Sequence, residues 1–332
     1  MTTLLVGPGF AARHGERVRA VAKEAGADLE LLVLPDDPAA RVPADDVARI
    51  DAAFFSGDVF PERSPAFFAA TLGAGNLRWM HCFNAGVDHP VFGRFVERGV
   101  VLTSSPGSNA VPIAQNVIAG LLALARRLPL FARAQRDKVW IDHAKLPPPP
   151  DLDTQTLVVL GLGGIGSEIA RLGRSLGLRV VGVKRSRPPA DAPVDAWLPP
   201  ADLAEALPLC DWLAIACPLT EETRGWIDAA ALRALPDGAC VLNVGRGEIV
   251  DEAALVAELA SGRLGGAYLD VFVEEPLPAS SPLWELPNVI VTPHASSISA
   301  GSQARQAEMF FDNLGRWLRR EELANRVGRA SS

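Results

Sequence analysis

The sequence predicts an α/β protein built on two parallel β-sheets. Its length of 332 residues suggests two domains, at about 150 residues per domain. Short apolar runs alternate along the chain with longer segments of helical periodicity, as strands and helices do around parallel sheets. The alternation occurs in two series, and Pro147–Pro150 separates them as a loop or stiff connector.

Five apolar runs predict the strands of the first series. The first run ends at Gly7-Pro8-Gly9, and a helix comes after it over residues 13–25. A long helix is predicted from Ser108, which can cap it, to about residue 127, because its apolar residues recur at three- and four-residue spacing. The predicted strands are residues 4–6, 29–34, 52–55, 77–83 and 100–103.

The second series predicts six strands with helices between them. One helix begins at Gly166, and another is capped by Asp251 and ended by Gly262. The strands are residues 157–160, 179–183, 212–216, 239–243, 267–271 and 289–291. Near the end of the chain, an apolar stripe at helical spacing predicts a helix that packs on the core, with a partner-binding helix as the alternative. The stripe consists of Phe310, Phe311, Leu314, Trp317 and Leu318.

Composition excludes several classes of protein. A hydrophobic fraction of 48% with 21% charged residues is incompatible with general disorder. Acidic residues exceed basic ones, 39 against 32, which argues against a nucleic-acid partner. The apolar stretch Val117–Ala125 is far short of the roughly 20 residues that span a bilayer. No signal peptide is recognised, and four cysteines without CxxC spacing predict buried thiols rather than a metal site. We therefore expect a soluble cytoplasmic protein.

The segment Gly161–Gly166 has the pattern GxGxxG. The pattern alone is weak evidence, but here it comes after a predicted strand and opens a predicted helix, which is the context of a dinucleotide-binding turn. Gly161 allows the tight turn, Gly163 lets the backbone reach a pyrophosphate, and Gly166 lets helix and strand pack closely. A tight strand–helix turn without a ligand is the alternative.

The end of the second strand of this series is basic. NAD-binding turns place an Asp or Glu about 20 residues further on, to accept a hydrogen bond from the ribose 2′-hydroxyl. This chain instead has Lys184, Arg185, Ser186 and Arg187 there. Three cations and a hydroxyl suit a 2′-phosphate, so the sequence favours NADP(H). A solvated basic turn is the alternative.

Three further polar segments come directly after buried strands, at the edge where open α/β sheets bind ligands. They are residues 243–248, 270–277 and 292–294. Arg246 offers a planar fork for a carboxylate, and His294 can transfer a proton near neutral pH. A carboxylate, preferably Glu275, would orient the histidine ring and favour its charged form. Taken singly, Arg246 could be a structural ion pair and His294 a hydrogen-bonded loop histidine.

These segments together resemble the D-isomer-specific 2-hydroxyacid dehydrogenases, and the resemblance spans nearly the whole chain. The matching segments are Gly161–Gly166, Pro218-Leu219-Thr220 with Thr223, Asn243–Gly247 with Val250-Asp251, Leu269–Phe272, Glu275-Pro276-Leu277, Pro293-His294, Ala85–Asp88, and Asn325 with Val327.

The resemblance implies a doubly wound dinucleotide domain, residues 100–294, inserted in a flavodoxin-like substrate domain, residues 1–99 and 295–332. Arg246, Glu275 and His294 would be catalytic, and the amides of Ala85, Gly86 and Val87 would bind the substrate carboxylate with Arg246. Asp270 would face the nicotinamide. The helix from Ser108, together with the segment after it, would build a homodimer through the dinucleotide domain. The cofactor would contact Gly161, Gly163, Gly164, Ile165, Gly166, Lys184, Arg185, Ser186, Arg187, Cys217, Pro218, Thr223, Val244 and Asp270.

Four positions depart from the common pattern. Cys217 replaces a frequent His, Gln115-Asn116 replaces a Glu-His pair, and Lys184 replaces the usual acid. With Lys184 in place of the acid, the chain resembles the NADP-using branch of the family, the glyoxylate/hydroxypyruvate reductases. The expected function is NADPH-dependent reduction of a small 2-ketoacid. The alternatives are an NAD-dependent dehydrogenase of another small acid and a dinucleotide-binding co-regulator with little turnover. Formate or phosphite oxidation is disfavoured, because Glu275 stands where a Gln would suit formate.

Overall fold

The computed structural model describes residues 1–84, 86–87 and 89–327. These residues fall into two compact units, divided along the chain at Ser108/Asn109 and at Ile298/Ser299. The first unit takes both ends of the chain, and the second takes the middle. The divisions come slightly later than the predicted boundaries after residues 99 and 294. The reason at the first boundary is that Val101–Thr103 pairs in parallel with Trp79–Cys82 and so belongs to the first sheet.

The first unit contains a parallel sheet of five strands. Its order is β2-β1-β3-β4-β5, which is the flavodoxin-like order. The strands are β1 (Thr2–Val6), β2 (Leu29–Val33), β3 (Ala52–Phe55), β4 (Trp79–Cys82) and β5 (Val101–Thr103). All five predicted strands of the first series are therefore present.

The second unit contains a parallel sheet of seven strands in the order β12-β11-β10-β9-β6-β7-β8. Read from β8, this is the doubly wound dinucleotide-binding order with one further strand, so the predicted fold class is confirmed. The strands are β6 (Thr156–Leu160), β7 (Arg179–Val183), β8 (Ala196–Leu198), β9 (Trp212–Ile215), β10 (Cys240–Asn243), β11 (Gly266–Leu269) and β12 (Val289–Val291). The sequence did not predict β8.

Helices connect the strands of both units. They are α1 (Pro8–Glu24), α2 (Ala44–Val47), α3 (Ser64–Gly73), α4 (Pro90–Glu97), α5 (Ala110–Ala125), α6 (Leu128–Arg136), α7 (Gly164–Ser175), α8 (Leu203–Ala206), α9 (Ala229–Ala234), α10 (Glu252–Ala260) and α11 (Ser302–Leu318). The Asp251 cap of α10 is confirmed, since its side chain accepts from the Ala254 amide. The Ser108 cap of α5 was wrong, because that hydroxyl donates to the carbonyl oxygen of Ser105. Among the described residues, the helices lack the combination of length and apolar character that crossing a membrane requires.

Each sheet is covered by apolar residues on both faces. In the first unit, Phe310 of α11 stacks on Phe54 with ring centroids 4.3 Å apart. Trp79 also stacks on the Phe310 ring. Phe310, Phe311 and Leu314 are buried there. The predicted packing of α11 on the core is therefore confirmed, and its apolar stripe is used within the unit.

Candidate active site

The GxGxxG segment forms a tight turn between β6 and α7. Gly161 has φ = +89°, a left-handed conformation that side chains disfavour. A Cβ atom on Gly161 would lie 2.8 Å from the Cα of Cys217, and one on Gly166 would collide with the carbonyl oxygen of Gly161. Both positions therefore require glycine to close the turn.

Gly163 has a different environment, because a Cβ atom added there would meet no heavy atom within 4 Å. It is the N-cap of α7, and no side chain caps that helix end. Gly163 and Gly164 are exposed and Ile165 is half-buried. The first amides of a helix have no partners within the helix and attract anions. The turn therefore has the space and the free amides that a dinucleotide pyrophosphate needs, and its contact with a cofactor stays a prediction.

The corresponding strand–helix turn of the first unit, between β1 and α1, has no space for an anion. Gly7 leads from β1 towards α1, and a Cβ atom on Gly7 would run into the carboxylate of Asp58. That carboxylate accepts from the amide of Phe10 at 3.1 Å and from the hydroxyl of Ser56 at 2.7 Å. A negative side chain thus occupies the start of α1, so of the two turns only the second offers an open anion site.

The basic segment 184–187 comes directly after β7. Lys184 is half-buried, whereas Arg185, Ser186 and Arg187 are exposed. The backbone of Lys184 is held by β8, because its carbonyl oxygen accepts from Trp197 Nε1 at 2.9 Å and its amide donates to Leu198. Within the described part of the chain, the three cationic side chains form no ion pair. Their charges are available to an anion.

The loop after β9 carries the next predicted cofactor contacts. Thr223 Oγ1 donates to the carbonyl oxygen of Pro218 at 2.7 Å and accepts from the amide of Thr220 at the same distance, which folds the loop into a compact turn. Cys217 is buried, and burial raises the pKa of its thiol to about 11. Cys217 is therefore a neutral packing residue near pH 7, not a nucleophile.

Arg246 lies in a turn after β10 that Asn243 shapes. The Asn243 side chain accepts from the Gly245 amide at 3.0 Å and donates to the Arg246 carbonyl oxygen at 3.0 Å. Val244 is buried, and Arg246 is half-buried in an extended conformation. A Cβ atom on Gly247 would collide with the backbone of Phe272. Glycine at 247 therefore lets the Arg246 turn pack directly on the segment that carries Glu275.

Glu275 and His294 form the predicted pair. Glu275 Oε2 lies 2.8 Å from His294 Nδ1, and Glu275 Oε1 accepts from the amide of Phe272 at 3.0 Å. The carboxylate thus has both oxygens engaged and holds the ring by one nitrogen. The His294 side chain is 47% exposed, so Nε2 is the ring nitrogen left for a reacting atom.

The His294 backbone is left-handed, with φ = +50°. A non-glycine residue in such a conformation costs on the order of 1 to 3 kcal/mol and needs surrounding structure to hold it. Asp270 supplies part of that structure. Its carbonyl oxygen accepts from the His294 amide at 2.9 Å, and its carboxylate accepts from the Ala295 amide at 2.9 Å.

Asp270 therefore has a role that the resemblance did not imply. It is only 1% exposed, and its carboxylate also accepts from the amide and hydroxyl of Ser296 and from the hydroxyl of Thr292 at 2.6 Å. Both carboxylate oxygens are committed to the segment 292–296. A contact of Asp270 with the nicotinamide stays a prediction.

Polar residues around this segment received no role from the sequence, although Thr292 lies in one of the polar segments and Asn116 departs from the family pattern. Thr292 Oγ1 lies 3.1 Å from the hydroxyl of Tyr268, and Asn116 Nδ2 donates to the carbonyl oxygen of Ser296 at 3.1 Å. One feature of the sequence could have indicated a role for Asn116: it is a polar residue next to the apolar face of a predicted helix.

The predicted substrate loop lies in the first unit. Gly86 and Val87 are half-buried after β4, and Asn84 Nδ2 donates to the Gly86 carbonyl oxygen at 2.5 Å. Ala85 and Asp88, which complete the predicted loop, lie outside the described residues. Binding of the substrate carboxylate by this loop stays a prediction.

The open phosphate turn, the Arg246 turn and the Glu275–His294 pair all come after strands of one parallel sheet, at its carboxyl edge. A proton-transferring side chain on the same edge as a dinucleotide turn is what hydride-transferring enzymes need. The fold and the site together identify the protein as a dinucleotide-dependent dehydrogenase.

Comparison with known proteins narrows this class. The family model for the D-isomer specific 2-hydroxyacid dehydrogenase NAD binding domain matches residues 118–296. A glyoxylate reductase of Korarchaeum cryptofilum is 33% identical over 246 residues, which cover 73% of each chain. The chain belongs to the D-isomer-specific 2-hydroxyacid dehydrogenase family.

Solved structures agree with this assignment. A D-isomer-specific 2-hydroxyacid dehydrogenase from Xanthobacter autotrophicus, in complex with NADPH and MES, matches with a TM-score of 0.77 and 31% identity over 99% of this chain and 98% of that one. An NADPH-dependent glyoxylate/hydroxypyruvate reductase from Sinorhizobium meliloti, in complex with NADP and sulfate, matches with a TM-score of 0.76 and 28% identity over 98% of both chains.

Proposed function

We propose that the protein is an NADPH-preferring reductase of small 2-ketoacids, of the glyoxylate and hydroxypyruvate type, and that it forms D-2-hydroxyacids. The observation that carries the proposal is the bond between Glu275 Oε2 and His294 Nδ1, 2.8 Å long, at the same sheet edge as the open dinucleotide turn. A bound NADPH would supply the hydride that the keto carbon accepts.

The proton comes from His294. Glu275 accepts from Nδ1–H and stabilises the charged imidazole, so that Nε2–H can be given to the oxygen of the carbonyl group as it becomes a hydroxyl. Solvent returns the proton to His294 after product release. In the complete reaction, one ketoacid, one NADPH and one proton become one hydroxyacid and one NADP⁺.

Arg246 binds the carboxylate of the substrate in this proposal. Its guanidinium group can make two parallel charge-assisted hydrogen bonds to a carboxylate, which fixes the orientation of the ketoacid. The same positive charge stabilises the negative charge that develops on the reacting oxygen. In this proposal the first unit is the substrate domain, with residues 85–87 as its predicted carboxylate-binding loop, and the second unit is the dinucleotide domain.

The proposal is tested by NADPH consumption with glyoxylate, hydroxypyruvate and larger 2-ketoacids. We expect turnover with at least one of the two small substrates and D-glycerate as the product from hydroxypyruvate. Tight NADPH binding without turnover of any 2-ketoacid would overturn the proposal and favour a dinucleotide-binding co-regulator. Faster turnover with NADH than with NADPH would instead identify an NAD-dependent member of the family.

Replacement of Arg246 by lysine tests the carboxylate site. Lysine keeps the charge but loses the planar fork. Loss of one charge-assisted bond, worth about 1.5 to 3 kcal/mol, should lower kcat/KM for ketoacids roughly tenfold or more, with little change in NADPH affinity. Arg224→Lys is the matched control, because Arg224 is an exposed arginine of the same unit. If wild-type protein reduced glyoxylate and its uncharged amide equally well, no carboxylate would be recognised at Arg246.

The protein is also proposed to be a homodimer through the second unit. The segment from α6 to residue 141 has an apolar surface that the described residues leave open, and Trp140 is 95% exposed. Other exposed apolar side chains of this surface are Leu128, Leu130, Phe131 and Val139. A second copy of the chain would cover it, since exposed apolar surface concentrated in one segment marks an association site.

The mass in solution, measured by light scattering, tests the dimer. Val139→Asp with Trp140→Asp should convert dimer to monomer, because two charges would be buried in the interface. Leu209→Asp is the control, since Leu209 and Val139 are both 59% exposed but Leu209 lies outside this segment. A wild-type protein that is monomeric at micromolar concentration would contradict the proposal.

The proposed location is the cytoplasm, where free cysteines are the rule. Cys82, Cys210, Cys217 and Cys240 are all buried and free, as predicted. Burial raises the pKa of the Cys240 thiol to about 12, so these thiols stay protonated and unreactive near neutral pH.

A further inference from the structure

We propose that Asn116 is a positioning residue for His294, acting through Ser296 and Asp270. The inference rests on the proposed function, because it concerns the histidine that donates the proton. It assigns a role to a contact between residues that are 180 positions apart in the sequence.

The first step is the attachment of the histidine segment to Asp270. Three consecutive amides, those of His294, Ala295 and Ser296, all donate to Asp270, the first to its carbonyl oxygen and the other two to its carboxylate. The hydroxyl of Ser296 donates to the same carboxylate. Because Asp270 comes directly after β11, the left-handed backbone of His294 is attached to the sheet itself.

The second step is the support of Ser296 from the other side. Ser296 is buried, and its carbonyl oxygen accepts from Asn116 Nδ2 at 3.1 Å. The same amide nitrogen donates to the carbonyl oxygen of Pro112 at 2.9 Å, within α5. Both hydrogens of the Asn116 amide are therefore used, one to fix the side chain on its own helix and one to hold Ser296.

The consequence is that the segment 294–296 is held between the sheet and α5. Asp270 bonds its amides on one side, and Asn116 bonds its last carbonyl oxygen on the other. Glu275 then needs only to orient the imidazole ring, because the position of the His294 backbone is already set. A displacement of about 1 Å in a catalytic group can cost roughly a hundredfold in rate, so the loss of the Asn116 bond should appear in catalysis.

The test is Asn116→Asp, which keeps the shape of the side chain and removes its hydrogen-bond donors. We expect kcat for glyoxylate to fall about ten- to a hundredfold, while KM and NADPH affinity stay within about twofold. Ser296→Ala, which removes the hydroxyl donor to Asp270, should lower kcat in the same way. Gln115→Glu is the matched control, because it makes the same amide-to-carboxylate change one position earlier on an exposed side chain of α5.

A second measurement does not depend on activity. Long-range ¹H–¹⁵N spectra of the five histidines report on the ring nitrogens, and the His294 signals are assigned by their loss in His294→Ala. Asn116→Asp should shift them in the cofactor-free protein, and Gln115→Glu should not. If the wild type reduces no ketoacid while these signals shift as expected, the proposed function fails and the positioning role stands. Unchanged signals and unchanged kcat in Asn116→Asp, or equal effects in Gln115→Glu, would overturn the positioning role.

Discussion

Replacement of His294 by alanine is expected to lower kcat for 2-ketoacid reduction about a hundredfold or more. General acid catalysis by a positioned side chain contributes roughly 10² to 10⁴ in rate, and His294 is the proposed donor, with its Nδ1 2.8 Å from Glu275 Oε2. NADPH binding should survive, since the phosphate turn at Gly161–Gly166 does not involve the histidine. Steady-state kinetics and NADPH fluorescence titration measure the two quantities.

The partner of the histidine provides the matched comparison. Glu275→Gln keeps the shape of the side chain but removes the negative charge that stabilises the charged imidazole, so we expect a large loss of kcat. Glu274→Gln makes the same change at the adjacent, exposed residue and should leave kcat near the wild-type value. Near-normal turnover of His294→Ala between pH 6 and pH 8 would show that another group donates the proton.

The cofactor preference is the second large effect. A 2′-phosphate carries about two negative charges, and each charge-assisted bond to it contributes roughly 1.5 to 3 kcal/mol. Two such bonds from Lys184, Arg185 and Arg187 should give a preference of about a hundredfold or more for NADPH over NADH in kcat/KM. The segment is largely exposed, so the preference should decrease at high salt.

Lys184→Asp should reverse much of this preference, because the new carboxylate would repel the 2′-phosphate and accept from the ribose 2′-hydroxyl. The matched control is Arg179→Asp, which replaces an exposed cation by the same acid at the opposite end of β7. If the wild type used NADH as well as NADPH, the three cations would be a solvated turn. The assignment to the dehydrogenase family would be unaffected.

Much of this protein could be predicted from local patterns. A strand buried on both faces of a parallel sheet is a largely apolar run, so β3 and β7 could be predicted to the residue. The GxGxxG turn could be interpreted because each of its glycines has a local reason. Gly161 has a left-handed φ, Gly163 leaves space for a ligand, and Gly166 makes a close packing contact. Arg246, Glu275 and His294 were selected because each comes after such a strand, and strand ends share one edge of a parallel sheet.

Local sequence patterns did not predict one strand, the unit boundary or the long-range hydrogen bonds, which depend on the tertiary structure. The strand β8 is a run of only three half-buried apolar residues directly before Pro199-Pro200, and its pairing with β7 identifies it as a strand. Pairing also placed residues 101–103 in the first sheet and moved the unit boundary. Asp270 and Asn116 hold the histidine segment through hydrogen bonds that join residues 26 and 180 positions apart. Periodicity and spacing describe neighbours along the chain, whereas these bonds depend on strand order and helix placement, which only the folded molecule determines.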